Sequence, residues 1–142
     1  MLERHGTYRE YDWAIIFSED GFRCGYVAIP KHHILYNKSI SDLPPINCHG
    51  EITYADKHCI SYINSDYVIG FDCGHFPMDA IDLESVQKYY GKERVEELKT
   101  WGTFIYRTQG HAWTADEIEA ECKHIIDQIL SYLLKLLDEI EV

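Results

Sequence analysis

Two short polar segments contain the residues that are best suited to chemistry. Cys48-His49-Gly50-Glu51 precedes a run of β-forming residues, and Asp72-Cys73-Gly74-His75 follows another. Binding and catalytic residues often collect at the ends of neighbouring strands, so we expect His49, Asp72 and His75 to lie close together. Such a group is compatible with metal catalysis, nucleophilic catalysis or binding without turnover.

A metal site is the first of these alternatives. Two imidazoles and a carboxylate, here His49, His75 and Asp72, can hold a transition metal and leave positions open for water or substrate. The spacing does not identify a zinc enzyme, because the sequence contains neither HExxH nor HxE followed by PCxxC. A hydrolase of a phosphorylated small molecule that uses this His/Asp/His set, with or without a metal, is kept as an alternative function.

A cysteine nucleophile is the second alternative, with Cys48 or Cys73 activated by a nearby histidine. This chemistry requires an exposed thiolate with a lowered pKa. A cysteine in a strand usually behaves as a small buried hydrophobe, which disfavours the mechanism. We therefore assign no catalytic residue and expect no cofactor.

Non-enzymatic binding of a small nucleotide-like ligand is the interpretation we favour. Arg23 and Arg107 are predicted to contact its anionic group. Polar and aromatic side chains are predicted to shape the rest of the pocket: His49, Thr53, Tyr54, Asp72, His75 and Tyr106. The glycine motifs of dinucleotide-binding folds and of P-loop proteins are absent, so the prediction depends on these individual side chains.

Composition limits the classes of partner. The 142 residues include 24 acidic and 13 basic side chains, which give a formal net charge of −11. This charge repels a phosphate backbone and disfavours binding to nucleic acid, although a local positive pocket could still accept a small anion. The acidic surface also permits a second alternative, a protein-binding inhibitor of a host factor that acts by charge mimicry.

The cysteines and the apolar runs bear on location. Five cysteines occur without a CxxC pair, and an odd, scattered set favours reduced thiols over a disulfide framework. The first thirteen residues are charged where a signal peptide would be apolar, and no window approaches about 18 uninterrupted apolar residues. We expect a cytosolic protein that has no membrane partner.

An antiparallel sheet of four or five strands is predicted to position the polar segments. β-Branched and aromatic residues mark five strand-forming runs, at 13–17, 22–29, 51–54, 59–63 and 67–73. Ser18-Glu19-Asp20-Gly21 predicts a hairpin turn between the first two runs, because Asp-Gly supplies a residue with positive φ. Residues 1–12 are predicted to be a short helix or a flexible arm, and 31–48 a long loop.

Helices are predicted after the sheet, at 79–90 and 92–100, with Gly91 between them. Residues 103–107 could form a further strand. Thr114 and Glu117 predict a capping box at the start of a long C-terminal helix. Apolar residues then recur at spacings of four and three: Ile118, Cys122, Ile125, Ile129, Leu133, Leu136 and Ile140.

The expected fold class is α+β, in a single domain over residues 1–142. The long C-terminal helix should pack on the sheet or at an oligomer interface. Its last part is apolar on more than one face, through Leu130, Leu134 and Leu137. One stripe facing the sheet does not require this many apolar residues, so we expect a homo-oligomer.

Four segments of the chain also form a recognisable set: GFRCGYVAIPKHHILY, CHGEITYAD, YVIGFDCGH and AWTADEIEAECKHIIDQI. Together they resemble a family of small, mostly uncharacterised proteins encoded by phages and prophages. The family pattern has a Gly-Tyr-Val strand before a loop with Pro and His, a His-Gly-Gly segment before Thr-Tyr, a Gly-Phe-Asp-Cys-x-His segment and a terminal Glu-Cys helix. The resemblance covers roughly residues 21–126, with gaps.

The family pattern falls on residues of both polar segments and of the flanking strands: Arg23, Gly25, Tyr26, Pro30, His49, Gly50, Thr53, Tyr54, Gly70, Phe71, Asp72 and His75. The chain departs from it at Glu51, where the family usually has a second glycine, and at Val68, where an aromatic residue is common. The resemblance implies a phage setting and no particular reaction. In that setting, small oligomeric proteins that sequester nucleotide signals of bacterial immunity, such as cyclic ADP-ribose derivatives or cyclic oligonucleotides, are similar in size.

Overall fold

A five-stranded antiparallel sheet forms the centre of the computed structural model, which describes residues 1–141. The strands are β1 (Leu2–Tyr8), β2 (Tyr11–Phe17), β3 (Arg23–Ala28), β4 (Tyr54–Lys57) and β5 (Tyr67–Asp72), in the spatial order β1-β2-β3-β5-β4. The helices are α1 (Leu83–Tyr90), α2 (Lys92–Lys99) and α3 (Ala115–Glu141). The α+β class, the antiparallel sheet and the long C-terminal helix are therefore confirmed.

The hairpin between β2 and β3 forms as predicted. The backbone N–H of Gly21 donates to the carbonyl of Ser18 over 3.0 Å, and Gly21 has a φ of +96°. Glycine adopts this conformation without the steric cost that a Cβ would impose. The long 31–48 segment is also irregular, apart from a short 3-10 turn at Ile40–Asp42.

Four local predictions differ from the structure. The strand predicted at 51–54 shares only Tyr54 with the observed strand β4 (Tyr54–Lys57). Residues 2–8 form the edge strand β1, which pairs with β2 through a turn where Arg9 and Glu10 both have positive φ. Residues 59–63 form a loop, because Ile60 packs its side chain against the sheet with Ala14, Ala28 and Val68 and does not extend a ladder. Residues 103–107 form turns and the start of a 3-10 helix.

The two faces of the sheet differ because successive side chains of a strand point to opposite sides. One face packs against α3, whose inward residues Ile118, Cys122, Ile125, Ile126 and Ile129 are all fully buried. On the other face the 58–66 loop covers only part of the sheet. We call this second side the open face.

A smaller apolar cluster joins α1 and α2 to the end of β2. Phe17, Ile81, Val86, Val95 and Leu98 are buried together there. Gly91, with a φ of +92°, separates the two helices as predicted. No described helix combines the length and the apolar character that a membrane span requires.

Candidate functional site

A cleft on the open face brings several predicted residues together. Its volume is about 380 Å³ and it is lined by Phe22, Cys24, Tyr26, Thr53, Tyr54, Phe71 and Asp72. In the strand register Cys24 pairs with Asp72, and both Tyr26 and Tyr54 pair with Gly70. We call this feature the open-face cleft. Thr53, Tyr54 and Asp72 thus lie in one concave site.

Gly70 allows the two tyrosines to form the aromatic part of the cleft. A Cβ on Gly70 would lie 2.6 Å from Cδ1 of Tyr26, so the tyrosine ring rests directly on the glycine. The rings of Tyr26 and Tyr54 meet edge to face, with centroids 5.8 Å apart. Because the two rings are at 86° to each other, a flat ligand can stack on one of them and contact the other at its edge.

Asp72 is the acidic group of the cleft and is about one-third exposed. Its Oδ1 accepts a hydrogen bond of 2.9 Å from the backbone N–H of Gly74. Its Oδ2 lies 3.5 Å from Oγ1 of Thr53. Because Gly74 fixes the carboxylate through a short bond, Asp72 is held in place while part of it faces the cleft.

A cluster of His49, His75, Asp79 and Trp113 lies next to Asp72, and we call it the histidine cluster. Nε2 of His75 is 3.6 Å from Oδ1 of Asp72, and the rings of His49 and His75 are 5.7 Å apart. The cleft and the histidine cluster therefore meet at Asp72. His49, Asp72 and His75 thus lie near one another, as expected from the sequence.

Asp79 holds the histidine cluster together and is only 1% exposed. Its carboxylate accepts hydrogen bonds from Nε1 of Trp113 at 3.0 Å and from the backbone N–H of His75 at 2.9 Å. Nε2 of His49 lies 2.8 Å from the same carboxylate. A carboxylate only accepts hydrogen bonds, so this contact places a proton on Nε2 of His49. His49 also packs on Trp113, with ring centroids 4.3 Å apart.

Gly50 lies against the ring of His75 in the histidine cluster. A Cβ at this position would lie 2.3 Å from Nε2 of His75, so the backbone of Gly50 touches the ring. That nitrogen is buried and has no hydrogen-bond partner. Both Gly50 and Glu51 have a φ of +65°, a conformation that favours glycine. The backbone at position 51 would therefore suit a second glycine better than Glu51.

Arg23 has a different role from the predicted one. It is 5% exposed, and each of its five N–H groups donates a hydrogen bond. Two go to Glu3 at 2.6 and 2.8 Å, and the others reach Asp82 at 2.8 Å, the carbonyl of Trp113 at 2.9 Å and Ser85 at 3.1 Å. No donor is left for a ligand, so Arg23 joins β1, β3 and α1 and does not bind an anion.

Arg107 and Tyr106 lie outside the lining of the cleft. The guanidinium of Arg107 is 4.8 Å from the ring centre of Phe76 and 4.9 Å from that of Trp101. The hydroxyl of Tyr106 donates to the carbonyl of Phe76 over 3.2 Å. Phe76 in turn meets Phe22 edge to face. The predicted pair of arginine clamps is therefore not assembled in this structure.

The cysteines near the site are not activated. Burial, with the carboxylate of Asp72 nearby, raises the pKa of Cys24 to about 11. Burial, with Glu121 and Glu51 nearby, raises the pKa of Cys48 to about 12. Burial also raises the pKa of Cys73, which is 2% exposed. A nucleophilic thiolate requires the opposite shift.

Metal ligation has no assembled donor set among residues 1–140. No three histidine, cysteine, aspartate or glutamate side chains of that range are arranged to hold a metal ion. In the alternative set of His49, Asp72 and His75, Nε2 of His49 faces Asp79 instead of the other two residues. The donor atoms of that set consequently do not converge on one point.

Two residues that organise the site were not predicted from the sequence. Asp79 and Trp113 lie outside both polar segments, and only the fold brings them to His49. No family model, curated protein or solved structure matches the chain. The interpretation of the site therefore depends on its own geometry.

Proposed function

We propose that the protein binds a small nucleotide-like ligand without turnover, and that the ring of this ligand enters the open-face cleft. The observation that supports this proposal is a concave site of about 380 Å³ that combines aromatic rings with one fixed carboxylate. Ligand pockets typically measure about 300 to 1,000 Å³ and combine apolar walls with a few placed polar groups. The cleft meets both criteria.

The ring of the ligand would supply most of the recognition. The lining of the cleft contains no lysine or arginine, and Arg23 is fully used by its own protein partners. One of the two perpendicular tyrosine rings, Tyr26 or Tyr54, can stack on a base, and such stacking contributes about 1 to 3 kcal/mol in proteins that bind single-stranded nucleic acid. Any phosphate would then remain at the mouth of the cleft, in contact with solvent.

The biological setting that we propose is sequestration of such a ligand by a phage protein in the cytosol of its host, as an anti-defence function. Support for the setting comes from the resemblance of the four sequence segments alone. The ligand-binding proposal does not depend on it, because the cleft would act in the same way in another setting.

We also propose that a second copy of this chain covers the exposed end of α3. Leu134, Leu137 and Ile140 are 61%, 54% and 78% exposed along this part of the helix. An antiparallel pair centred between Leu136 and Leu137 would bring Lys135 of each copy beside Asp138 of the other. Apolar contact and opposite charges would thus favour a symmetric dimer.

Titration calorimetry with a panel of nucleosides and cyclic nucleotides tests the binding proposal. We expect Tyr54→Ala to weaken binding on the order of 10- to 100-fold, because it removes one stacking surface. Tyr62→Ala is the matched control, since Tyr62 is a tyrosine that is 78% exposed and outside the cleft lining. Equal affinity of the two variants, or the absence of binding to the whole panel, would overturn the proposal.

A hydrolase is the second candidate, because one observation favours it. Asp79 fixes one ring nitrogen of His49, which is the arrangement that often orients a general base. Incubation with the same panel, followed by heat release and mass spectrometry of the ligand, separates the two candidates. Recovery of unaltered ligand favours sequestration, and recovery of a hydrolysed product favours the enzyme.

If no ligand binds, affinity capture from host lysate tests the third alternative, an acidic protein that inhibits a host factor.

A further inference from the structure

The carboxylate of Asp72 has acceptor capacity that the protein does not use. A carboxylate offers about four lone-pair positions. Within the protein, Gly74 N–H fills one of them at 2.9 Å, and the Thr53 hydroxyl approaches a second at 3.5 Å. Nε2 of His75, at 3.6 Å, lies beyond normal hydrogen-bond distance. About two positions remain, on a group that faces the cleft.

Apart from the hydroxyls of Tyr26, Thr53 and Tyr54, the side chains that line the rest of the cleft supply no strong donor to a ligand. Its lining contains no lysine, arginine, histidine, asparagine or glutamine. The hydroxyl of Tyr54 is directed to the carbonyl of Lys57 at 3.4 Å. The side of the cleft that carries Asp72 is therefore an acceptor site, and a ligand ring that binds there must bring the N–H groups.

The geometry points to a ring with two adjacent N–H donors on one edge, which we propose is the 2-amino-oxo-pyrimidine edge found in guanine. This inference depends on the proposed ring-binding function of the cleft. Guanine presents N1–H and N2–H side by side, and this planar pair can donate to both oxygens of one carboxylate. Since the rings of Tyr26 and Tyr54 are nearly perpendicular, one of them would support the plane of the same ring and the other would contact its edge.

The other bases fit this carboxylate less well. The Watson–Crick edges of adenine and cytosine each place a ring acceptor beside the single amino donor, and uracil places carbonyl oxygens on both sides of one N–H. An acceptor that faces Asp72 would be repelled and would lose its hydrogen bond to water. The same two-donor edge occurs in pterins, so the shared chemistry is the donor pair, and guanine and pterin are two possible sources of it.

Calorimetric titration with guanosine, inosine, adenosine and pterin tests this inference. Inosine is guanosine without the N2 amine, so it isolates the second hydrogen bond. We expect guanosine to bind on the order of 10- to 100-fold more tightly than inosine and adenosine, which is the discrimination typical of a bidentate contact. If pterin binds more tightly than guanosine, recognition of the two-donor edge remains supported, and pterins are the ligands that carry it.

Asp72→Asn provides the matching variant. An asparagine oxygen can still accept from Gly74 N–H, so the turn should be retained, while its amide NH₂ replaces one acceptor by a donor. The preference for guanosine over adenosine should fall by at least about tenfold. Asp42→Asn, at an exposed residue outside the cleft lining, should leave that preference unchanged.

The outcomes separate this inference from the function on which it depends. If all nucleosides bind alike, or if Asp72→Asn retains the guanosine preference, the two-donor edge is overturned and ring binding in the cleft remains supported. If the folded protein binds no nucleoside and no pterin, both ring binding in the cleft and recognition of the two-donor edge are overturned. Thermal melting of each variant shows whether a lost preference results from unfolding.

Discussion

Glu51 has a backbone conformation that is unfavourable for a residue with a side chain. Its φ of +65° follows a φ of +65° at Gly50, so two consecutive residues are left-handed beside the histidine cluster. A side chain in this region costs roughly 1 to 2 kcal/mol. A glycine at this position would avoid that cost.

Glu51→Gly is therefore expected to stabilise the protein, by about 0.5 to 1 kcal/mol once the greater unfolded-state freedom of glycine is subtracted. Urea denaturation followed by circular dichroism measures the change. Glu51→Ala is the control, because it removes the charge and keeps the Cβ, and it should not reproduce the gain. Equal stabilisation by both variants would mean that charge, and not backbone conformation, is the cause.

Arg23 connects stability to pH through its buried carboxylate partners. Burial opposes the charged form of Glu3, but hydrogen bonds from Arg23 and Tyr89 outweigh burial and lower its pKa from the ordinary 4.5. Burial likewise opposes the charged form of Asp82, and hydrogen bonds from Ser85 and Arg23 lower its pKa from 3.8. Both carboxylates therefore stabilise the folded protein at pH values above their ordinary pKa. This contribution is lost as the pH falls through their lowered pKa values.

Arg23→Met is expected to cost about 3 kcal/mol at pH 7, because it leaves the buried carboxylate of Glu3 and the partly buried carboxylate of Asp82 without their partner. The difference from the unmodified protein should narrow as the pH falls below about 4, where those carboxylates become protonated. Denaturation curves from pH 7 to pH 3 measure this. Arg4→Met removes ion pairs of a more exposed arginine with Asp116 and Glu119 and should cost about 1 kcal/mol or less. A pH-independent cost at Arg23 would contradict the account.

At the scale of elements, short sequence patterns correctly predicted one turn, one helix break and one helix start. The Asp-Gly turn, the Gly91 break and the start of α3 all formed where short-range rules placed them. β1 was not predicted, because its turn at Arg9 and Glu10 lacks the usual glycine or asparagine. The apolar residues of 59–63 predicted a strand, but only Ile60 of this segment is buried, and it is buried because it covers part of the open face.

The candidate site was predictable only in part for a similar reason. Thr53, Tyr54 and Asp72 flank or lie in strands, so their approach follows from the sheet. Asp79 and Trp113 reach the histidine cluster through long-range folding that no spacing encodes. The arginines were assigned from residue type alone, which does not show whether a charge already has protein partners.

The N-terminus of α3 provides a test at this scale. Thr114 Oγ1 accepts from the N–H of Glu117 at 3.2 Å, and the Glu117 carboxylate accepts from the N–H of Thr114 at 3.0 Å. Thr114→Ala should destabilise the protein by about 1 kcal/mol, whereas Thr114→Ser keeps the hydroxyl and should cost little. Thermal melting compares the two variants. Equal loss in both would show that the cap does not depend on the hydroxyl.

At the scale of the whole molecule, α3 is longer than the sheet that it covers. Among the described residues, none beyond Ile129 in this helix is buried, and Leu130 to Glu141 extends for about 18 Å. The confirmed helix therefore has an exposed apolar end. This end is the basis for the proposed dimer.

Replacing both Leu134 and Leu137 by glutamate should convert a dimer to a monomer of 16.6 kDa. Light scattering coupled to size exclusion measures the mass. Ile105→Glu is the control, because Ile105 is 75% exposed but lies outside α3, and it should leave the mass unchanged. A monomeric unmodified protein at high concentration would contradict the dimer while leaving the cleft unaffected.

The central claim is that the open-face cleft is a binding site for a small ring-containing ligand. Amide chemical-shift mapping by NMR during titration with guanosine tests it most directly. We predict saturable shifts that are concentrated at residues 22–26, 53–54 and 70–75, with little change along the buried face of α3. Shifts that do not saturate, or that cluster elsewhere on the molecule, would contradict the claim.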